Sequence, residues 1–272
     1  MKKEFFQNKV VVITGSSSGI GKATALAVGL RGAQVVINGR NEEKLERAHA
    51  SLKSTFKDVI AVAADISSVA GAQQLIEASI LEYGRIDVLI NNAGMSSRGY
   101  FDTVSPQAME DMMRINFLGC LYPSRFAIEH LKKTQGSLVF ISSVAGIRGL
   151  PETSLYCASK MALTSMAESL RVELWDAKIH VGIVYVGITE NDPGKQVIAA
   201  DGSLVTLQKR NERNLQSPDQ VAQSIIRLVR KRKFKVVLTS LGKINALANV
   251  LFPRLVDKLL IRSKERIARM NQ

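Results

Sequence analysis

The chain has 272 residues, 46% hydrophobic and 22% charged, which is enough apolar material for one large domain or two small ones. With 19 glycines, 6 prolines and 2 cysteines, the composition excludes a disordered chain, a collagen-like chain and a scaffold held by disulfides. The net charge of +13 lies mostly at the carboxyl end, because residues 222–272 hold 13 Lys and Arg against 2 Asp and Glu. The rest of the chain is nearly neutral.

The amino-terminal residues lead straight into a short apolar run at 10–13, which Thr14 and Gly15 end, and they do not resemble a secretion signal. No stretch of about 18 uncharged apolar residues, the length of a membrane-spanning helix, occurs in the chain. Cys120, Cys157 and three scattered histidines have no metal-ligand spacing. These observations predict a cytoplasmic protein without a metal site.

Short apolar runs rich in β-branched residues alternate with helical stretches, a pattern typical of a parallel sheet covered by helices on both faces. The predicted strands are 10–13, 35–38, 59–63, 88–91, 137–142, 181–186 and 236–238. The predicted helices are 21–30, 42–52, 70–83, 106–126, 159–175 and 218–229. The pattern therefore predicts an α/β protein with a doubly wound, Rossmann-type, seven-stranded parallel sheet, in which residues 1–240 form one domain.

Residues 186–216 have no clear period and follow the sixth predicted strand. A loop of about 30 residues is long for a compact domain, and such loops are usually lids or binding segments. We therefore expect this segment to border the binding crevice.

The turn between the first strand and the first helix reads Thr-Gly-Ser-Ser-Ser-Gly-Ile-Gly at 14–21. Its glycines allow the backbone to approach a pyrophosphate closely, and the helix amino terminus offers unpaired N–H groups to the anion. The alternative is a glycine and serine turn without a ligand. The residues that we assign to cofactor binding here are Gly15, Ser17, Ser18, Gly19 and Ile20.

The end of the second strand selects between the two nicotinamide cofactors. An acidic residue there would bind the ribose hydroxyl of NAD(H), but the strand ends with Gly39 and is followed by Arg40. Because a guanidinium pairs well with phosphate, this segment predicts NADP(H). The alternative is a solvated arginine at a helix start.

Three separated polar residues are expected to meet in the same crevice. Tyr156 and Lys160 stand four apart in a helical stretch, so they share a helix face. Ser143 follows the fifth strand, at the edge where doubly wound sheets bind ligands. A free phenol titrates at about 10, so a nearby cation is needed for it to exchange protons near neutral pH.

The sequence resembles the short-chain dehydrogenase/reductase family over nearly the whole chain up to about residue 240. The resemblance rests on the glycine turn, Asp65, the run Asn91-Asn92-Ala93-Gly94, Asn116, Ser143 and the run Tyr156-Cys157-Ala158-Ser159-Lys160. It implies that Tyr156 is the general acid in carbonyl reduction, or the base in the reverse reaction. It also implies that Ser143 binds the reacting oxygen, that Lys160 also holds the nicotinamide ribose, and that Asn116 anchors a water in a proton relay.

The same resemblance implies further cofactor contacts and an oligomer. The residues that it adds to the cofactor site are Asp65, Ile66, Asn92, Ala93, Gly94, Tyr156, Lys160, Gly187 and Thr189. One departure is Val186 before Gly187, where the family usually has proline, and it predicts a looser loop around Thr189. Family members are commonly dimers or tetramers through the helices that bear Asn116 and Tyr156.

Residues 241–272 predict a basic helical extension, interrupted at Pro253. Apolar residues recur at helical spacing, and the cations include Lys258, Arg262 and Lys264, as in helices that lie on an anionic membrane surface. The alternative is packing on the domain itself or on a partner subunit. Nucleic acid is disfavoured, because no recognition motif or aromatic platform is present.

From residue 199 to the extension, the chain is more distantly similar to 11β-hydroxysteroid dehydrogenases and 3-ketodihydrosphingosine reductases, which implies lipid-like ketones or alcohols. Met95, Leu150 and Val186 are candidates for an apolar substrate wall. We therefore predict an NADP(H)-dependent oxidoreductase that reduces a carbonyl, or oxidises the matching alcohol, on a lipid- or steroid-like substrate. Two alternatives stay open: an NADPH-binding regulatory or scaffold protein, and a reductase of small or sugar ketones.

Overall fold

The computed structural model describes residues 5–192, 194–207 and 215–271, with side chains as far as residue 264. The strands are β1 (Val10–Ile13), β2 (Gln34–Gly39), β3 (Val59–Ala63), β4 (Val88–Asn91), β5 (Ser137–Ser143), β6 (His180–Val186), β7 (Gln196–Ile198), β8 (Leu204–Thr206) and β9 (Lys235–Val237). Seven of them form one parallel sheet in the order β3-β2-β1-β4-β5-β6-β9, which confirms the predicted doubly wound sheet.

Helices cover both faces of this sheet. They are α1 (Gly19–Gly29), α2 (Glu42–Lys53), α3 (Val69–Tyr83), α4 (Pro106–Met113), α5 (Gly119–Thr134), α6 (Ser154–Glu173), α7 (Pro218–Arg230), α8 (Ser240–Leu251) and α9 (Pro253–Asn271). One face packs on α1, α2 and α7, and the other packs on α3, α5 and α6. Because both faces are covered, the central strands β1 and β4 are buried at every residue, which explains their continuous apolar sequences.

The helix predicted at 106–126 is interrupted. A π-helical segment, Arg114–Leu118, separates α4 from α5, and the second helix continues to Thr134. Such π segments are often found at functional sites, and this one carries the predicted site residue Asn116. A single extra residue in a helical turn barely changes the apolar period, so the sequence pattern could not reveal it.

The segment at 186–216 is more regular than expected. Its described part contains an antiparallel hairpin of β7 and β8, and β7 also forms a bridge from Ile198 to Ser97. A second bridge, between Thr189 and Gln216, joins the two ends of the segment. The strands are three residues long, too short to give a period in the sequence, and residues 193 and 208–214 lie outside the described part.

The two C-terminal helices confirm the predicted extension, with Pro253 at the start of the second one. Arg148, which follows β5, donates to Asn249 Oδ1 at 2.9 Å and pairs with Asp257. These contacts attach α8 and α9 to the carboxyl edge of the sheet. None of the helices, as far as the chain is described, has the length and hydropathy to cross a membrane.

Close packing of α1 on the turn that precedes it gives a stability prediction. A Cβ at Gly21 would lie 2.5 Å from the Gly15 carbonyl oxygen and 2.6 Å from Asn92 Nδ2. We expect Gly21→Ala to lower the free energy of unfolding by about 1–3 kcal/mol, because the added methyl group forces the backbone apart. Denaturant unfolding measures this loss. Gly149→Ala is the control, since a Cβ there meets no atom within 4 Å, and equal unfolding midpoints for the two variants would contradict the packing argument.

Candidate active site

A cleft of about 890 Å³ opens at the carboxyl ends of β1 to β4, and this size suits a dinucleotide. Twelve of the residues predicted from the sequence to hold the cofactor line it. They are Gly15, Ser17, Ser18, Gly19, Ile20, Arg40, Asp65, Ile66, Asn92, Ala93, Gly94 and Thr189. The cleft therefore brings together residues from five separate segments, as expected when the carboxyl ends of parallel strands meet at one edge of a sheet.

The amino terminus of α1 is left open toward this cleft. Its N-cap residue, Ser18, makes no side-chain hydrogen bond to the helix, whereas Asn41 and Ser68 cap α2 and α3 in the usual way. The first N–H groups of α1 are thus not satisfied by a cap, and they can bind an anion with the support of the helix dipole.

Asn92 and Thr14 hold the glycine turn against the end of β4. Asn92 Nδ2 donates to the carbonyl oxygens of Thr14 and Gly15 at 3.0 and 2.9 Å. In return, Thr14 Oγ1 accepts the backbone N–H groups of Asn92 and Ala93. A Cβ at Gly15 would lie 2.7 Å from the Ala93 Cα, so only glycine allows this approach. Both amide donors of Asn92 are used to brace the turn.

Acidic and basic side chains already lie around the open turn. A Cβ at Gly19 would lie 3.1 Å from Asp192 Oδ2, so a carboxylate stands beside the helix start where a phosphate would bind. Glu190 and Lys195 of the same segment also line the cleft. The dipole of α1 favours a negative charge at this position.

The end of β2 is followed by cations and is tightly packed at Gly39. A Cβ at Gly39 would lie 3.3 Å from Ser17 Oγ, so a larger residue there would press on the glycine turn. Arg40 is exposed and lines the cleft. Lys44 and Arg47 line it as well, and the sequence analysis missed them, although their spacing of four and seven residues from Arg40 puts them on the adjoining face of α2.

Asp65 contributes a negative charge near these cations. Its Oδ1 accepts hydrogen bonds from Ser67 N and Oγ at 3.0 and 2.7 Å. Partial burial raises the pKa of this carboxyl, but the two hydrogen bonds and the charges of Arg40 and Arg114 outweigh burial and leave the pKa below its usual range. Asp65 is therefore ionised at neutral pH and stands ready to accept hydrogen bonds.

Lys160 is a buried cation behind the cleft residue Gly94, where an added Cβ would lie 3.1 Å from its Nζ. Its Nζ donates to the Ile141 carbonyl oxygen at 3.1 Å and lies 5.9 Å from the centroid of the Tyr156 ring. Burial lowers the pKa of this ammonium, and the nearby Cys120 opposes part of the shift. Within the described part of the chain, Ile141 accepts its one hydrogen bond, which leaves two donors for a ligand.

Helix α6 begins at Ser154, five residues before the predicted start, so Tyr156 lies in its first turn. Ser142 Oγ donates to the Lys160 carbonyl oxygen at 3.1 Å and joins α6 to the end of β5. The next residue, Ser143, ends β5 and accepts a hydrogen bond from Ala145 N at 3.2 Å. Tyr156 and Lys160 on α6 and Ser143 at the end of β5 therefore lie at one junction of strand and helix. These three residues are not among those that line the cleft, and their catalytic roles stay predictions.

Asn116 joins this group from the π-helical segment. Its Oδ1 accepts from Met95 N at 2.7 Å, and its Nδ2 donates to Met95 O at 2.8 Å and to Ser159 Oγ at 3.0 Å. Ser159 Oγ in turn donates to the Tyr156 carbonyl oxygen. The amide thus fastens the chain after β4 to the first turn of α6, and its part in a proton relay stays a prediction.

Two other features lie next to the predicted residues. Tyr156 packs against an apolar cluster built around Ala108, Met112 and Ile198, which also includes Met95. Gly187 lies against Thr239, since a Cβ there would contact the threonine methyl group, and it does not line the cleft. The cofactor role of Gly187 stays a prediction.

Asn38 is a cleft residue that the sequence analysis missed. It is buried, and its Nδ2 donates to the carbonyl oxygens of Val62 and Ala64 at 3.1 Å. Its backbone N–H also donates to Ser16 Oγ. A polar residue within an otherwise apolar strand was the signal that could have revealed it.

Comparisons with known proteins agree with this geometry. A family model described as short chain dehydrogenase matches residues 9–202. The chain is 39% identical over 194 residues to an "11-beta-hydroxysteroid dehydrogenase-like 4A" of Arabidopsis thaliana, which covers 70% of this chain and 64% of that protein. It is 32% identical over 265 residues to an "Uncharacterized oxidoreductase YxnA" of Bacillus subtilis, which covers 96% of this chain and 73% of that protein. The match therefore spans less than two thirds of the Arabidopsis relative.

Solved structures share the fold. A short-chain dehydrogenase/reductase from Burkholderia phymatum in complex with NAD superposes with a TM-score of 0.81 at 22% identity, over 94% of this chain and 96% of that chain. A metagenomic short-chain oxidoreductase in complex with NADP gives a TM-score of 0.71 at 25% identity, over 85% and 97%. Together with the family match over residues 9–202, these likenesses establish that the chain belongs to the short-chain dehydrogenase/reductase family.

Proposed function

We propose that this chain is an NADP(H)-dependent oxidoreductase that reduces a carbonyl, or oxidises the matching secondary alcohol, on an apolar, lipid- or steroid-like substrate. The observation that carries the proposal is the buried Lys160 ammonium, which lies 5.9 Å from the Tyr156 ring centroid and, among the described residues, donates one hydrogen bond, to Ile141 O. A buried cation next to a phenol at the end of a dinucleotide-sized cleft suits proton transfer beside a cofactor.

The residues in the cleft fit a nicotinamide dinucleotide phosphate. The uncapped amino terminus of α1 would hold its pyrophosphate, and the remaining donors of Lys160 would hold the nicotinamide ribose. When bound, the cofactor supplies or accepts the hydride. Thr189 would bond the carboxamide, because its bridge to Gln216 holds this loop in place without the usual proline.

Side chains of this protein would supply the proton that the substrate oxygen takes up during reduction. Tyr156 Oη would donate its proton to the substrate oxygen during reduction, while Ser143 Oγ hydrogen-bonds the same oxygen and orients the carbonyl. The positive charge of Lys160 favours the phenolate that remains, and the low dielectric around it strengthens this effect. Asn116 would keep α6 in place beneath the reacting groups through Ser159.

Two observations favour NADP(H). A Cβ added at Gly39 would lie 3.3 Å from Ser17 Oγ. The carboxylate typical of NAD(H) sites would therefore require Ser17 to shift. Arg40, with Lys44 beyond it, offers cations for a 2′-phosphate, while Arg47 pairs with Glu43 at the same wall of the cleft. Solved relatives include complexes with NAD and with NADP, so the proposal rests on these side chains.

The apolar side of the site supports a lipid- or steroid-like substrate. Tyr156 lies against Met95, Val104 and Ile198, and these side chains offer hydrophobic area to a bulky substrate but few polar partners to a sugar. The names of several relatives, such as an "11-beta-hydroxysteroid dehydrogenase" of Pinus massoniana, point to the same class.

The proposed enzyme is a homodimer or homotetramer in the cytoplasm. Helix α6 exposes Met161 and Val172, and Trp175 just beyond it is 70% exposed, which is unusual for a surface that faces only water. We also propose that residues 242–272 contact an anionic membrane surface peripherally.

The general-acid role is tested with Tyr156→Phe. We expect NADPH consumption with a responsive ketone to fall by about 10²–10⁴-fold, because the proton donor is lost while the ring and its packing remain. The control is Tyr83→Phe, which removes a half-buried phenol on α3 outside the cleft. Turnover is followed by NADPH absorbance, and NADPH binding by fluorescence. An active Tyr156→Phe enzyme would refute the assignment, and NADPH binding without turnover of any ketone would favour the regulatory or scaffold alternative.

The substrate class is tested by comparing kcat/KM for steroid, sphingoid-type, short-chain and sugar ketones. We expect the steroid or sphingoid ketones to have the highest values, because they bury the apolar cluster beside Tyr156. A higher kcat/KM for sugar ketones would favour the alternative reductase.

Cofactor preference is tested with Arg40→Asp. We expect NADPH affinity to fall about 10- to 100-fold and the preference to shift toward NADH, since the variant replaces a phosphate partner with a repelling charge. Lys53→Asp makes the same charge change at the exposed far end of α2 and serves as the control. Unchanged selectivity in Arg40→Asp, measured by titration with both cofactors, is the result that contradicts the assignment.

A further inference from the structure

Helices α8 and α9 present an unusual amount of apolar surface to the outside. Nine large hydrophobic side chains in and between them are 55–75% exposed. We call this set the C-terminal apolar face: Leu241, Ile244, Leu247, Val250, Leu251, Phe252, Leu255, Leu259 and Ile261. On α8, Ile244, Leu247 and Leu251 follow at helical spacing and share one exposed side. Exposed apolar surface of this kind marks a contact with another molecule or with a membrane.

The orientation of α8 is opposite to that of an ordinary surface helix. Its side toward the protein carries small and polar residues, namely Gly242, Asn245, Ala246 and Asn249, whereas leucines and isoleucine point outward. Burying the apolar face instead would require the helix to rotate about its axis. The apolar face must therefore be covered from outside.

Two contacts prevent that rotation. A Cβ at Gly242 would lie 2.7 Å from Val144 Cγ1, so glycine lets α8 sit directly on the segment that follows β5. Asn249 accepts a hydrogen bond from Arg148 at 2.9 Å and donates to the Ile147 carbonyl oxygen. The polar side of α8 is thus used by the protein itself.

The same two helices also expose cations. In the part of α8 and α9 whose side chains are described, Asp257 is the one acidic residue, and Arg148 pairs with it. The exposed cations are Lys243, Arg254, Lys258, Arg262 and Lys264. This combination suits the surface of an anionic bilayer. Apolar side chains insert at the boundary of the acyl chains, and basic side chains are attracted to the anionic headgroups.

We infer that the C-terminal apolar face binds an anionic lipid bilayer, with its apolar side chains inserted at the headgroup boundary. A second copy of this chain fits the face less well, because a symmetric contact would bring two sets of five cations together. The remainder of the chain carries little net charge to attract these cations, since residues 1–221 hold 24 basic and 22 acidic residues.

The attachment of α8 gives this surface a role in the reaction. Gly242 packs on Val144, one residue beyond Ser143, and Arg148 ties both helices to the same segment. A chain bound through this face therefore holds the substrate side of the site next to the bilayer, where an apolar ketone would be dissolved. This last step rests on the proposed reductase activity, whereas the binding of the face to lipid develops the proposed membrane contact and does not depend on that activity.

The binding is tested by flotation of the full chain with vesicles of phosphatidylcholine and phosphatidylglycerol in equal parts. We expect the chain to float with these vesicles and to float much less with phosphatidylcholine alone. The double variant Leu247→Asp with Leu251→Asp should lose on the order of tenfold or more in vesicle affinity, because it removes inserted apolar area and adds charge. The control is Leu81→Asp, at a leucine on α3 that is 91% exposed, and it should float like the original chain.

The charge contribution has its own variant. Lys258→Glu with Arg262→Glu should weaken binding on the order of fivefold or more per charge, and added salt should weaken binding of the original chain. Circular dichroism and thermal unfolding check that each variant is folded.

Three results would overturn the inference. They are a chain that does not float with the anionic vesicles, a Leu247/Leu251 double variant that floats as well as the original, and a double variant that turns a dimer into a monomer in light scattering. The last result would assign the face to a second copy.

Flotation needs neither cofactor nor substrate, so a failure of the proposed reductase activity would leave it unchanged. Conversely, NADPH consumption with a water-soluble ketone should be unaffected in the double variant.

Discussion

The site depends on a buried ammonium group at the junction of β5 and α6. An ammonium loses most of its hydration when it is buried, so Lys160 must be held by acceptors that the fold provides, and the Ile141 carbonyl oxygen is one of them. Ser142 fastens the same lysine's backbone to the strand end, and a Cβ at Gly94 would lie 3.1 Å from its Nζ. The end of β5, helix α6 and the turn after β4 therefore all contact Lys160. These contacts fix α6 and with it the Tyr156 ring, one turn earlier on the same helix.

The two ends of the cleft differ in their electrostatic environment. At the outer end, backbone N–H groups of α1 and the cations near Arg40 offer a preformed anion site whose parts come from the ends of β1 and β2. At the inner end, low dielectric and a single cation act on a phenol beside an apolar cluster. One edge of a parallel sheet supplies both, because each strand ends there and each following turn is free to carry a different chemistry.

The C-terminal helices extend this edge outward. Arg148 and Gly242 attach them to the turn that follows the serine-bearing strand, so a contact made by the outer face of α8 is mechanically close to the substrate side of the cleft. An enzyme acting on apolar compounds gains from such an arrangement, since its substrate is concentrated in lipid while its cofactor is dissolved in water.

The amino-acid sequence by itself determined the seven-stranded sheet, the glycine turn and the polar residues at the strand ends, because buried parallel strands and phosphate-binding turns leave local patterns. It also indicated Arg40, through the missing carboxylate at Gly39. Only the tertiary structure decided the π-helical position of Asn116, the cleft lining by Asn38, Lys44 and Arg47, and the hairpin of β7 and β8. Likewise, the apolar period of the last residues predicts helices but does not predict which side of each helix packs on the protein. That orientation depends on contacts between residues far apart in the chain, such as Gly242 with Val144.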